Sequence, residues 1–432
     1  MSLPSVSLPS EWERAGSTTS GVDDQVGWLN RFEDEGLNDL VAQAFAHNPN
    51  LKRLQSRLDQ AKARSDKARS ALTPTIGVSI GGSRTDNFEN APNSSANLNA
   101  GVNVSWEPDL WGRLGAASQA GESRAHAANE DYQAARQVLA AAVVENYFLT
   151  IEARRLAEVS ESNLDALNKT LGFVTVQYER GLRSGQDISL IRADVASAKV
   201  SYNRSEGAAR DALRALNILM GSYPQTERII DAALPDVPNF TALGKPANIL
   251  TQRPDVRAAQ YRVQATYASH KSTKAAQKPN LSLGGVIGGN SSSLGNLFDP
   301  AAMASTLFAN LTSPIFDGGA RKADVAIAQA DIDENLANYQ ETALSAFRDV
   351  ERQIDQGQIL VQQEIELTRA LSDARDALRF TQFRYESGES DLLNVLSVQQ
   401  RVSFIEGQLV STRRARLVQY INLALALGFD PR

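Results

Sequence analysis

The stretch "NPNLKRLQSRLDQAKARSDKARSALTPTIGVSIGG", Asn48 to Gly82, decides how this chain is read, because it occurs twice. Its second copy is "RPDVRAAQYRVQATYASHKSTKAAQKPNLSLGGVIGG", Arg253 to Gly289. The interval from Pro49 to Pro74 equals that from Pro254 to Pro279. Each block reads as a helix of about 25 residues opened by proline, whose fixed φ suits a first helical turn. A second proline ends the helix, and a glycine-rich strand follows.

The match continues at an offset of 207 residues. Leu164, Leu167, Leu171, Val174 and Tyr178 follow alternating three- and four-residue spacing, as do Leu371, Ala374, Leu378, Thr381 and Tyr385. Beyond a short Gly/Ser/acid turn the pattern resumes at Ile188, Ile191, Val195, Ala198 and Tyr202, and in the second copy at Val395, Val398, Val402, Ile405 and Leu409. Gly221 and Gly428 close the two copies. Such spacing is the seam of a coiled coil. The patterns predict helices from about Leu114 to Glu179 and from about Ala320 to Glu386. Returning helices are predicted from about Asp187 to Met220 and from about Asp391 to Leu427. At 1.5 Å per residue a helix of that longer kind spans about 100 Å. The turns "YERGLRSGQD" and "YESGESDLLN" are then the tips of two long antiparallel helical hairpins.

Alternating segments lie at the other end of each hairpin. "TIGVSIGGS" puts Ile76, Val78 and Ile80 on one face, and "LNAGVNVSW" does so with Ala100, Val102, Val104 and Trp106. "LSLGGVIGG" and "LFANLTSPIF" are their counterparts. Polar stretches, "SRTDNFENAPNSSAN" and "NSSSLGNLFDPAAM", separate the members of each pair and read as long loops. Such strands suit a barrel wall with lipid outside and water inside. A small soluble sheet capping the helices is the alternative. Four strands do not close a barrel, and an open edge is forbidden in a bilayer, so strands that span one require the chain to oligomerise.

Composition narrows the rest. The 432 residues carry a net charge of −6 with both signs interspersed, which argues against a nucleic-acid partner. The mean hydropathy is −0.31. No apolar run is long enough for a transmembrane helix, a test that is blind to β-barrels. The absence of cysteine removes thiolate chemistry. His47, His126 and His270 lack metal-ligand spacing, "GGVIGGN" lacks the Lys-Ser/Thr of a phosphate loop, and no catalytic constellation is found. An enzyme is therefore not expected, nor any cofactor or metal. A scaffolding coiled-coil protein is the competing function, and it leaves the duplicated strands unused.

The duplication, "RPDVRAAQ" at Arg253 to Gln260, "SPIFDGGARKADV" at Ser313 to Val325, the tip "YESGESDLLNVLSVQQ" and the N-terminal "LPSEW" layout together resemble the TolC-like outer-membrane factors of tripartite efflux systems. The resemblance covers nearly the whole chain. It implies a mainly α fold with membrane β: duplicated coiled-coil hairpins forming an α-barrel, and four strands per chain contributing to a 12-stranded barrel in a homotrimer. It also implies an outer-membrane location with a large periplasmic portion. The partners it implies are a periplasmic adaptor, an inner-membrane RND-type pump and outer-membrane lipid, and the implied role is passive outward passage of drugs or other solutes. The most similar subgroup is acylated on an N-terminal cysteine after a signal peptide. This sequence shows neither, and its opening "MS" is expected to stand in place of that cysteine.

The expected organisation is a collar segment at 1–36, a first repeat at 37–221, a joining segment at 222–248, a second repeat at 249–428 and a tail at 429–432. Ser390, Asn394, Ser397 and Arg401 form a polar stripe beside the second tip, readable as lumen lining or as a solvated helix face. Family members often carry carboxylates there; here Asn394 and Ser397 take those positions, Asp391 is the nearest carboxylate, and Leu393 adds an apolar constriction. The lumen-narrowing candidates are thus Asp391, Leu393, Asn394, Ser397 and Arg401. Those for bracing the tip or meeting the adaptor are Tyr178, Arg183, Gln186, Asp187 and Tyr385.

Overall fold

The computed structural model describes residues 12–13, 27–87, 93–226, 233–238 and 243–431. The N-terminal segment expected as a collar lies largely outside these residues, as do 227–232 and 239–242 of the joining segment. The elements in chain order are α1 (Glu35–His47), α2 (Pro49–Ser70), β1 (Thr75–Asn87), β2 (Asn93–Trp106), α3 (Arg113–Glu179), α4 (Gly185–Leu219), α5 (Ile249–Gln252), α6 (Pro254–Ala275), β3 (Asn280–Ser291), β4 (Met303–Thr312), α7 (Ala320–Glu386) and α8 (Leu392–Leu427). The duplication preserves helix length: α2 and α6 each have 22 residues, and α3 and α7 each have 67.

Two compact units arise, and each draws on both copies. One holds residues 55–131 and 257–342, and so contains the sheet and the helical segments next to it. Its four strands are antiparallel in the order β1-β2-β3-β4. Residues directly opposite in such a ladder share a face. Ile76, Val78 and Ile80 oppose Val104, Val102 and Ala100. Val102 and Val104 in turn oppose Ile287 and Gly285, which oppose Ser305 and Leu307. One face is thereby apolar across all four strands. The other carries Ser79, Asn99, Asn103, Asn290 and Thr306, with Val286 and Phe308 as exceptions. On the apolar face Ile76, Val78 and Ile80 are 73%, 75% and 77% exposed, so no described residue covers them.

The strand ends differ from the sequence reading. β1 and β2 extend into the stretch expected as a long loop, pairing Ser83 with Asn97 and Asp86 with Ser94, and only 88–92 lie outside the described residues. A ladder needs backbone groups, not apolar side chains, so polar residues continue it where both faces meet water. β4 begins at Met303, before the expected Leu307, and ends at Thr312, ahead of Pro314, which has no N–H to donate. At both strand-to-helix transitions an aspartate caps the helix. Asp109 accepts from the backbone N–H of Leu114 (3.0 Å) and Gly115 (2.7 Å), and Asp317 from Gly319 (3.0 Å) and Arg321 (3.2 Å).

The other unit holds residues 6–54, 132–256 and 343–432, and its described residues include α1, α5 and most of two helical hairpins, α3 with α4 and α7 with α8. Its fully buried side chains include Trp28, Leu37, Phe148, Ile151, Leu216, Tyr420 and Ile421. Phe32 meets Phe148 and Tyr420 edge-on at 5.3 and 5.5 Å, a favoured aromatic geometry. Asp34 caps α1 through Leu37 N–H and accepts from the Tyr147 hydroxyl at 3.0 Å. Burial, reinforced by the Asp34 charge and this bond, pushes the Tyr147 phenol up to about 12. The backbone N–H groups of Trp28 and Leu29 donate to Asp430 and Pro431, tying the two ends of the described chain together.

The closing glycines perform one task twice. Gly221 and Gly428 have φ of +69° and +81°, the left-handed conformation that ends a helix at little cost only for glycine. A Cβ on Gly221 would lie 2.4 Å from the carbonyl oxygen of His47, and one on Gly428 would lie 3.0 Å from the backbone of Gln252 and Arg253. Gly221→Ala should therefore cost about 1–3 kcal/mol from backbone strain alone. Thermal unfolding should show a lowered midpoint, and an unchanged one would contradict this packing.

Candidate functional site: the helical tips

Both tips are built by the same backbone device. Gly181 N–H donates to Tyr178 C=O and Leu182 N–H to Gln177 C=O, each at 2.9 Å. In the second copy Gly388 donates to Tyr385 (3.1 Å) and Glu389 to Arg384 (2.8 Å). This paired closure satisfies carbonyls at the helix end, and it needs the positive φ of Gly181 and Gly388, +75° and +80°.

The next helix starts differently in the two copies. Ser184 accepts from Asp187 N–H, and Asp187 accepts in return from the backbone N–H and hydroxyl of Ser184. This reciprocal cap satisfies two otherwise unpaired donors. Asp391, at the start of α8, makes no such side-chain bond, and α8 begins one residue later than the sequence pattern set it. Asn394 instead donates to the Ser390 hydroxyl (3.3 Å), and Ser397 to the Asn394 carbonyl (2.9 Å).

Below the turns a core joins both hairpins: Leu167, Val174, Ile188, Ile191, Ala198, Tyr385, Leu392 and Val395 are buried together. These are mostly the seam positions of the sequence pattern. The two tip tyrosines part company, however. Tyr385 is 4% exposed and Tyr178 is 48% exposed. The Arg183 guanidinium sits 4.3 Å from the centroid of the Tyr385 ring and donates to its carbonyl at 3.4 Å, while Phe173 meets the same ring edge-on at 5.9 Å. The residue 207 positions beyond Arg183 is Ser390, too short to cover a ring in the same way. Burial raises the Tyr385 phenol, Arg183 partly opposes that, and Asp187 adds to it.

Of the residues singled out in the sequence, the structure thus brings Arg183 and Tyr385 into contact and uses the Asp187 carboxylate in a cap. Gln186, Asp391, Leu393, Asn394, Ser397 and Arg401 are exposed, and the last four lie on one side of α8. Sequence reading missed Phe173, which lies off the seam, and the exposed pair Phe380 and Phe383. Among the described residues no group of three or more His, Cys, Asp or Glu side chains has metal-binding geometry, and no helix is long and apolar enough to cross a membrane.

An antiparallel sheet with one continuous apolar face, in a chain that also carries two long helical hairpins and is built as two half-copies, defines a membrane-channel protein of the outer-membrane type. The chain belongs to the outer membrane efflux protein family, whose model matches residues 40–222 and 246–429. The outer membrane protein OprJ of Pseudomonas aeruginosa is 26% identical to it over 441 residues, covering 99% of this chain and 91% of that protein. The cation efflux system protein CusC of Escherichia coli is 26% identical over 405 residues, covering 93% and 88%. The CmeC outer membrane channel of Campylobacter jejuni shares the fold, with a TM-score of 0.92 at 23% identity over 100% of this chain and 94% of that one.

The tip geometry separates ring from hydroxyl. The Tyr385 hydroxyl is buried without a hydrogen-bond partner among the described residues, so Tyr385→Phe should leave stability unchanged or raise it slightly. Tyr385→Ala should cost about 3–5 kcal/mol by opening the core. Chemical denaturation of both variants checks this: a Phe variant as unstable as the Ala variant would show that the hydroxyl, not the ring, holds the tip.

Proposed function

We infer that this chain is the outer-membrane exit duct of a tripartite efflux system, passively conducting drugs or other small solutes outward. The observation that carries the reading is the sheet. Its apolar face spans four strands, and its outer strands β1 and β4 present unpaired backbone edges among the described residues. In lipid each such group costs several kcal/mol, so the sheet closes only by joining sheets of other copies. Three copies give twelve strands and six helical hairpins. The helices α3 and α7 follow β2 and β4 through the Asp109 and Asp317 caps.

Such a duct meets a periplasmic adaptor and an inner-membrane pump of the RND type. Selection of solute belongs to the pump, because a water-lined passage contacts its cargo loosely. In this reading the second copy narrows the lumen at Asp391, Leu393, Asn394, Ser397 and Arg401. Arg183 and Tyr385 brace the first tip against the second, and exposed Tyr178 and Gln186, beside the Asp187 cap, face the adaptor. The free N-cap of α8 is weaker than the Ser184–Asp187 box, which favours the second tip as the moving part. A partner that binds the open form better shifts the tips toward it.

Two measurements test this reading. Val102→Arg places a charge on the apolar face and should cost about 2–4 kcal/mol of insertion at the bilayer midplane. Membrane insertion and assembly yield equal to wild type would assign that face to water. At the tip, Asp391→Arg combined with Asn394→Arg should loosen the constriction by repulsion between subunits. Single-channel conductance in planar bilayers should rise above wild type, and unchanged conductance in folded protein would remove these residues from the gate.

A further inference from the structure

On the polar face of the sheet the bulkier side chains lie down. Three of them stand opposite a glycine in the ladder: Asn103 opposite Gly77, Asn99 opposite Gly81, and Phe308 opposite Gly284. Each is folded over its glycine. A Cβ added to Gly77 would lie 3.1 Å from Asn103 Oδ1, one on Gly81 would lie 2.8 Å from Asn99 Oδ1, and one on Gly284 would lie 2.2 Å from Phe308 Cζ. Glycine inside a strand weakens it and marks a place that another group approaches closely. At Gly284 that group is an aromatic ring of the next strand. Gly288, on the same face, differs: its Cβ would meet the carbonyl oxygen of Ala100 at 2.3 Å, so there the backbone itself requires glycine.

Phe308 is the largest side chain on this face and, within the four strands, its one aromatic ring. Even folded down it is 44% exposed, so it remains part of the surface that a passing solute meets. No residue of the face is charged. Arg84 and Asp86, the two charged residues of the four strands, belong to the opposite face, on which Arg84 pairs with Ala96. In the closed sheet this wall therefore offers a solute width and one apolar contact per copy, and no charge.

We propose that Gly284 is the shelf that holds Phe308 flat, and that this pair sets the bore of the sheet-lined part of the passage and with it the greatest width of solute that passes. The inference rests on the exit-duct reading above and deepens it: the pump chooses the cargo, and the pair limits its cross-section. β3 is paired on both sides, with β2 and with β4, so the strand is held against the shift that a methyl on Gly284 would ask for. The ring is free to give way instead, by turning to another staggered rotamer. Off its shelf it leaves the wall and enters the passage, once in every copy. A single methyl group on the wall is thereby converted into a much larger obstruction.

The chain has no cysteine, so an introduced thiol reports its own surroundings. Thr312→Cys places one on the polar face at the helix end of β4, past Phe308, and Asn97→Cys places one on the same face toward the far end of the sheet. Maleimide-linked polyethylene glycols of graded size, added to whole cells, reach them from the outer mouth, and the largest reagent that still reacts gives a size cut-off. Gly284→Ala should lower the cut-off at Thr312→Cys and leave that at Asn97→Cys unchanged. Adding Phe308→Ala to Gly284→Ala should restore it. An unchanged cut-off, a loss that Phe308→Ala does not reverse, or an equal loss at Asn97→Cys would overturn the pair and leave the duct reading standing. Where Gly284→Ala lowers the yield of assembled protein, the added Phe308→Ala should recover it. A double variant assembling as poorly as the single one would mean that the backbone forbids the methyl, as at Gly288, and would overturn the shelf. If even the smallest reagent fails to reach Thr312→Cys in the otherwise unchanged chain, duct and pair fall together.

Discussion

The constraint on which this structure depends is that no backbone hydrogen-bonding group is left unpaired in hydrocarbon. A four-stranded sheet with an apolar face satisfies the inner edges of its strands and, among the described residues, leaves the outer edges of β1 and β4 open. Water would satisfy them, but the adjoining face, where Ile76, Val78, Ile80 and Leu307 stand exposed, is built against water. The two demands are met together only when copies of the sheet close on one another. The proposed closure would ask for helices that leave the sheet at matching points and for hairpins of equal length.

Equal length is where the duplication shows most clearly. The paired glycines Gly181 and Gly388, and Gly221 and Gly428, stop four helices in one left-handed conformation. Asp109 and Asp317 start two of those four. Against that shared frame the copies have diverged at the tips. The first tip has a reciprocal serine–aspartate cap and an arginine laid over a tyrosine of the second tip. The second tip has a bare cap and a polar stripe. The Arg183–Tyr385 contact and the shared core hold both tips, whereas only the first has a side-chain N-cap.

Much of this was legible in the sequence. The prolines, the 207-residue offset and the coiled-coil spacing placed the long helices to within about two residues, because long periodic segments average out local ambiguity. The paired β-segments were found by alternation alone. Their ends were not, since polar residues such as Ser83 and Asp86 carry a ladder as well as apolar ones, and the stop before Pro314 is a matter of one missing N–H. At the tips, spacing gave Tyr178 and Tyr385 equal standing. Only the structure shows one buried and one exposed, because the difference lies in a third residue, Arg183 or Ser390, whose reach depends on how the hairpins pack.

Hydrogen–deuterium exchange on the wild-type protein reconstituted in lipid tests edge closure most directly. Backbone amides of β1 and β4 within the apolar band should exchange as slowly as those of β2 and β3, because each would be paired with a neighbouring copy. Fast exchange confined to the outer edges of β1 and β4, with β2 and β3 protected, would mean that the sheet stays open and would contradict the account.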